Sequence, residues 1–260
     1  MEGLEVSRGA GGEFQKGDAT RESILAGCRW LIDGIGEGDF MFFHYSGHGA
    51  QVEDQNGDES DGMDECILPQ DFHKVGVVLD DDLHDILIEP LPAGVHFTVL
   101  MDCCHSGTGM DLPYQCSAKG PKPTKEMASV LEMQKKKAGV GKAKGLKEKK
   151  GKKEKKEKKE KKEKKKDKEE DGKHGLGQAV MFSGCEDHQV SADIVLDGQA
   201  TGAVSFAFIS ALKGHQFDLN YVDLLYTMKE ILIQNQKSII QTPTLTSNKK
   251  KFPFDSKFTA

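Results

Sequence analysis

Residues 40–49, Phe40-Met41-Phe42-Phe43-His44-Tyr45-Ser46-Gly47-His48-Gly49, hold the reading that decides the fold. A continuous apolar run followed at once by a glycine-flanked polar turn suits a strand covered on both faces, as in a parallel sheet. Two later stretches repeat the pattern. His96–Met101 runs into Asp102-Cys103-Cys104-His105-Ser106-Gly107, and Ala179–Phe182 runs into Ser183-Gly184-Cys185. Between these strands the apolar spacing turns helical. Ile24, Leu25, Cys28, Leu31, Ile32 and Ile35 form one stripe after a cap at Asp18 or Thr20. Leu83–Leu91 reads as a short amphipathic helix ended near Pro90, and Thr201–Leu212 and Tyr221–Ile233 as two more. Thr242–Thr246 is a candidate late strand, with Pro243 against it. Strands alternating with helices predict an α/β sandwich with a mainly parallel sheet.

The chain has 260 residues and a formal net charge of −6, which divides unevenly. Residues 119–173 hold 24 Lys against 11 Asp and Glu, a balance of +13. The remaining residues hold 12 Lys and Arg against 31 Asp and Glu, a balance of −19. An acidic body repels phosphate, so nucleic acid is not expected to bind it, and only the Lys-rich tract could attract it. Cations or cationic side chains are the expected partners of the body. The tract, with its EKKEKKEKKEKK core, is too charged to bury a core and reads as a solvated linker, with a nuclear address as the sharper alternative. Residues 1–17 read as a flexible leader, and 53–65 as an acidic loop. No run approaches the roughly 18 apolar residues of a membrane span. Neither a membrane nor a signal segment is expected, and the reading is a soluble cytoplasmic monomer. Cys28, Cys66, Cys103, Cys104, Cys116 and Cys185 show no C-x-x-C spacing, so free thiols are expected.

In a parallel α/β sheet the loops beyond the strands' carboxyl ends share one edge, where ligands bind. His48 and Cys104 follow two such ends. A thiolate is a nucleophile, and a nearby imidazole lowers its pKa or moves its proton. The flanking glycines leave backbone N–H groups available to a developing oxyanion. His105 is the competing base and Cys103 the competing nucleophile, and spacing alone does not exclude Cys103.

Four ordered segments carry a family resemblance: HYSGHG (44–49), DQNGDESDGMDE (54–65), DCCHSGTGMDLPY (102–114) and MFSGCEDHQVSAD (181–193). Together they resemble the metacaspases, cysteine endopeptidases of the caspase-hemoglobinase fold, in large-then-small subunit order. The resemblance covers roughly residues 18–118 and 174–258. It implies a three-layer α/β sandwich, with a large-subunit-like part at 18–118 and a small-subunit-like part at 174–260 flanking the linker 119–173. It implies a His48–Cys104 dyad, with Cys103 before the nucleophile, and cleavage after Arg or Lys. Ser46 and Asp102 would line the pocket for that basic side chain. It also implies activation by Ca²⁺ held by Asp64, Asp80, Asp81 and Asp111, a set of hard oxygen ligands. The acidic loop departs from an EF-hand, because Glu59 stands where that loop requires Gly. No redox or organic cofactor is implied. Self-cleavage in the Lys-rich linker follows from Arg/Lys specificity. Residues 1–20 do not match the family's opening buried strand or its Gly-Cys-x-Asn-Asp type segment. The chain is therefore expected to lack the first strand and to be N-terminally incomplete against the family. That gap supports a rival expectation: an impaired caspase-like interaction protein whose Lys-rich tract binds acidic partners.

Overall fold

The computed structural model describes residues 3–6, 15–53, 62–103, 109–118, 122, 134–135, 175–184, 193–196, 199–235 and 241–259. Strands β1 (Gly3–Val6) and β2 (Gln15–Asp18) pair antiparallel, where composition alone suggested an unstructured leader. Helix α1 (Arg21–Ile32) starts where the Thr20 hydroxyl accepts the Ser23 N–H at 3.2 Å, one of the donors a helix start leaves without an intrahelical partner. Its Ile24, Leu25, Cys28 and Leu31 are buried, the stripe the spacing predicts.

Strand β3 (Phe40–Ser46) lies parallel to β7 (His96–Asp102), and β7 lies parallel to β10 (Gln178–Ser183). The three strands expected from sequence are thus neighbours in one sheet. Beyond β10 the sheet changes hand of pairing. Strand β13 (Thr244–Ser247) is antiparallel to β10, β8 (Tyr114–Ser117) is antiparallel to β13, and β9 (Gln134–Lys135) is antiparallel to β8. The order is β3-β7-β10-β13-β8-β9. The sheet is therefore mixed, parallel in its β3-β7-β10 half. Part of the tract expected to be a plain linker belongs to it: Gln134–Lys135 extends the sheet, and Lys122 pairs with Asp223 at 2.7 Å.

Alternation along the strands makes three layers. Phe97, Val99 and Met101 of β7, with Ala179 and Met181 of β10, pack on α1 and on α3 (Asp80–Leu87). Leu100, Val180, Phe182 and Leu245 face α4 (Ala203–Gly214) and α5 (Tyr221–Asn235). Helix α3 begins three residues earlier than the apolar pattern suggested, because Asp80, Asp81 and Asp82 occupy its first turn, where carboxylates oppose the positive helix end. Asn248 clips the end of β13 to the start of β10, accepting the Ala179 N–H and donating to the Gly177 carbonyl, each at 2.9 Å.

Two expectations need correction. Strand β3 is not covered on both faces. Among the described residues it is the edge of the sheet, and Phe40 and Phe42 remain 51% and 40% exposed. The acidic segment 53–65 is not all loop. Strand β4 (Gly49–Glu53) pairs antiparallel with β5 (Met63–Ile67), and β5 with β6 (Val78–Leu79). Residues 54–61 of that segment lie outside the described residues. Asp64 and Glu65 enter a strand because Met63, Cys66 and Ile67 give the flanking positions apolar side chains to bury.

Phe182 is fully buried and meets Phe208, Tyr221 and Phe258, with ring centroids 5.4, 6.4 and 6.1 Å away. Phe182→Ala should destabilise the fold by about 3–5 kcal/mol, the usual cost of removing a buried aromatic ring. Chemical denaturation followed by circular dichroism checks this, and a loss under about 1 kcal/mol would contradict the packing described.

Candidate active site

The β3–β7 register pairs Ser46 with Asp102, so the two strands end level at their carboxyl edge. His48 lies two residues beyond Ser46, and Cys104 lies two residues beyond Asp102 in the chain. Residues 104–108, Cys104 among them, lie outside the described residues. His48 is exposed. Its carbonyl oxygen accepts the Tyr45 hydroxyl at 2.9 Å and the Leu68 N–H at 3.0 Å. The Gly47 N–H donates to the Asp102 carbonyl at 3.3 Å, which ties this turn to β7. Gly47 is required by this arrangement, because a Cβ there would stand 2.7 Å from the Tyr45 hydroxyl oxygen. Tyr45 thus fixes the backbone that carries His48, a role the sequence reading missed.

Asp102 is 3% exposed, and its Oδ2 accepts the Ser205 N–H at 2.6 Å in the first turn of α4. Ser205 Oγ lies 2.7 Å from His44 Nε2. The His44 ring keeps an exposed face, while desolvation of its inner side lowers its pKa and the Asp102 charge opposes that shift. Ser46, the other expected pocket residue, is exposed beside them. The structure therefore brings Ser46 and Asp102 together, and adds His44 and Ser205, which the motifs did not mark. His44 and Ser46 share one face of β3 by strand alternation, a signal that was available. Ser205 is 103 residues from Asp102, and no local pattern joins them.

The described cysteines narrow the choice of nucleophile. Burial pushes the Cys28 thiol up to about 12, and the Cys66 and Cys116 thiols up to about 11. Such thiols hold almost no thiolate at neutral pH. Cys103 is buried. Cys104 and Cys185 lie outside the described residues.

The acidic residues divide by burial. Asp64, Glu65 and Asp80 are buried, while Asp81 and Asp111 are partly exposed. Asp80 Oδ2 accepts the Glu65 N–H at 3.3 Å, and Asp80 Oδ1 accepts the Asp81 N–H at 3.1 Å. Burial, then the charges of Asp111 and Glu65, push the Asp80 carboxyl up to about 9. Asp111 has φ +46, a left-handed conformation that Asp tolerates better than most residues. Asp82 is taken up by Arg21 at 2.9 Å, a half-exposed pair joining α1 to α3. Among the described residues no three His, Cys, Asp or Glu side chains converge as a metal cage. The acids whose charges act on Asp80 are Asp111 and Glu65, and sequence reasoning did not include Glu65. A small cleft, with room for a water molecule, is lined by Glu65, Asp80, Met101 and Cys103. It connects the acidic cluster to the residue before Cys104.

Residues 6–113 match the model of the metacaspase, peptidase C14 domain. Residues 6–113 are a metacaspase domain. The chain is 40% identical over 222 residues to Metacaspase-1 of Yarrowia lipolytica, covering 84% of this chain and 48% of that protein. It is also 40% identical over 216 residues to Metacaspase-1 of Cryptococcus neoformans, covering 82% of this chain and 47% of that protein. The chain spans about half the length of these metacaspases. A crystal structure of a Geobacter sulfurreducens protein shares the fold, with a TM-score of 0.51 at 24% identity, covering 90% of this chain and 76% of that one. No helix among the described residues is long and apolar enough to cross a membrane.

At pH 7.5, iodoacetamide should label Cys28, Cys66 and Cys116 of the native chain at least tenfold more slowly than an unperturbed thiol. Their labelling should rise as pH climbs toward 11, because only the thiolate reacts. Peptide mass spectrometry after timed quenching reads each site. Rapid labelling of Cys66 at neutral pH would contradict its burial.

Proposed function

We propose that the chain is a cysteine endopeptidase that cuts after Arg or Lys, with His48 as general base and acid and Cys104 as nucleophile. The observation that carries this reading is the level ending of β3 and β7. It brings Ser46 and Asp102, each two residues before a proposed catalytic residue in the chain, to one sheet edge. In this mechanism His48 takes the Cys104 thiol proton, and the thiolate attacks the scissile carbonyl. His48 then gives the proton to the leaving amine, and water hydrolyses the thioester. The depressed thiolate content of Cys28, Cys66 and Cys116 and the burial of Cys103 support Cys104 by contrast.

Selection of a cationic side chain rests on Asp102 and Ser46 at the same edge, within a body whose charge balance is −19. A carboxylate in a poorly solvated pocket favours a guanidinium or ammonium over a neutral side chain. The Lys-rich segment 119–173 offers many such residues and is the proposed site of self-cleavage.

We also propose Ca²⁺ as activator, held from the set Asp64, Asp80, Asp81 and Asp111. The chemistry of the donors supports it. Burial first, and then the charges of Asp111 and Glu65, hold the Asp80 carboxyl near 9, and a divalent cation would favour its ionised form. The cleft shared by Asp80 and Cys103 gives cation binding a physical route to the segment that carries Cys104.

In the presence of Ca²⁺, purified wild-type chain should hydrolyse Arg- and Lys-ended fluorogenic peptides, and Cys104→Ala should not. Asp102→Asn should lower kcat/KM for the Arg peptide about a hundredfold, the scale of losing a buried charge partner. Cleavage at residues 119–173, mapped by mass spectrometry, should occur in wild type and not in Cys104→Ala. Equal cleavage in both proteins would overturn the assignment. Folded wild type with no Cys104-dependent turnover would favour an interaction protein.

Ca²⁺ at about a hundred times its Kd should stabilise wild type by about 2.7 kcal/mol by mass action. Asp80→Asn should remove most of that gain. Calorimetric melting with and without Ca²⁺ checks it, and an unchanged shift in Asp80→Asn would exclude Asp80 as a ligand.

A further inference from the structure

The carboxylate of Asp102 sits in a seat formed by the junction of β12 (Gln199–Gly202) with α4 and, through Ser205, by β3. The N–H of Ser205, in the first turn of α4, holds Oδ2 at 2.6 Å. Gly202, the last residue of β12, lies against the same carboxylate. A Cβ at Gly202 would fall within bonding distance of the Asp102 carboxylate. The backbone at Gly202 has φ −58 and ψ 134, which any residue adopts. Gly is therefore needed there for space and not for conformation. Ser205 is itself buried, and its hydroxyl is met by His44 Nε2 at 2.7 Å. His44 comes from β3, two residues before Ser46, and pairs in register with Leu100 of β7. The seat thus joins the β3 and β7 ends to the start of α4.

We propose that His44, Ser205 and Gly202 are positioning residues that aim the Asp102 carboxylate at a cationic substrate side chain and so set basic-residue selection. This rests on the reading of Asp102 as the pocket acid. A carboxylate can rotate about its Cα–Cβ and Cβ–Cγ bonds, and selectivity for a guanidinium depends on the direction of its oxygens. One oxygen clamped by a charge-assisted backbone bond fixes that direction. The His44 contact holds Ser205 against β3, which keeps the first turn of α4 at the sheet edge. Gly202 leaves the room in which the clamped carboxylate lies. None of the three needs to touch substrate, so their effect should appear in discrimination between charged and neutral side chains.

The test uses the full chain carrying Cys104→Ala, so that peptides bind without being cut. The probes are an acetylated tetrapeptide containing Arg and the same tetrapeptide with citrulline, its uncharged isostere. Isothermal titration calorimetry gives the ratio of their Kd values. The parent should prefer Arg at least tenfold, and added Asp102→Asn should abolish the preference. Ser205→Ala, His44→Phe and Gly202→Ala should each shrink the ratio about three- to tenfold. His44→Gln, whose amide reaches the Nε2 position, should restore it. If Gly202→Ala does not fold, as judged by its melting transition, the Ser205 and His44 variants carry the test. A ratio unchanged within twofold in Ser205→Ala and His44→Phe, with the preference lost in Asp102→Asn, would overturn the seat and leave Asp102 as the pocket acid. An equal fall in both affinities would likewise overturn it, showing general damage. No preference in the parent, or a preference that survives Asp102→Asn, would overturn the pocket assignment and the seat with it.

Discussion

The parallel pairing of β3 with β7 is the constraint on which the rest depends. Its register aligns Ser46 with Asp102, and a slip of one residue would turn every side chain of β3 to the opposite face. His44 would then leave Ser205, and Phe43 and Tyr45 would leave the α1/α3 side. The register is held because β7 is buried almost throughout, with Phe97, Val99 and Met101 committed to one helical layer and Leu100 to the other. A strand packed on both faces has no alternative alignment of comparable burial.

That frame brings Ser46 and Asp102 to one edge, where the start of α4 meets Asp102, while the helical layers cover the faces of β7 and β10. The acidic cluster lies close to this edge through the cleft that Asp80 and Glu65 share with Met101 and Cys103. Asp80, the first residue of α3, is a buried acid whose protonated form is favoured by burial first and then by the charges of Asp111 and Glu65.

Much of this was legible in the sequence because it is written in local period. The stripe from Ile24 to Leu31, the runs at 40–45, 96–101 and 179–182, and the two helices after residue 200 all recur as elements. Thr244–Ser247 proved to be a strand despite Pro243, which precedes it and so removes no ladder bond within it. What local period misjudged was coverage. The run at Phe40–Tyr45 looked like a strand buried on both sides, yet Phe40 and Phe42 are exposed at a sheet edge. Apolar content does not reveal which neighbour a strand has. The acidic stretch around Asp64 looked like loop because charge outweighed its few apolar positions, although Asp64 and Glu65 are buried in a strand.

The sequence by itself determined the α/β class, the resemblance to the metacaspases, and the candidates His48, Cys104, Ser46 and Asp102, because these depend on residue identity at short spacing. Only the tertiary structure decided the mixed sheet, the contact of Glu65 with Asp80, and the seat that His44, Gly202 and Ser205 make around Asp102. Those are contacts between segments tens to hundreds of residues apart. They form because burying both faces of β7 brings the start of α4 against the end of the sheet, and no local pattern in the chain encodes that approach.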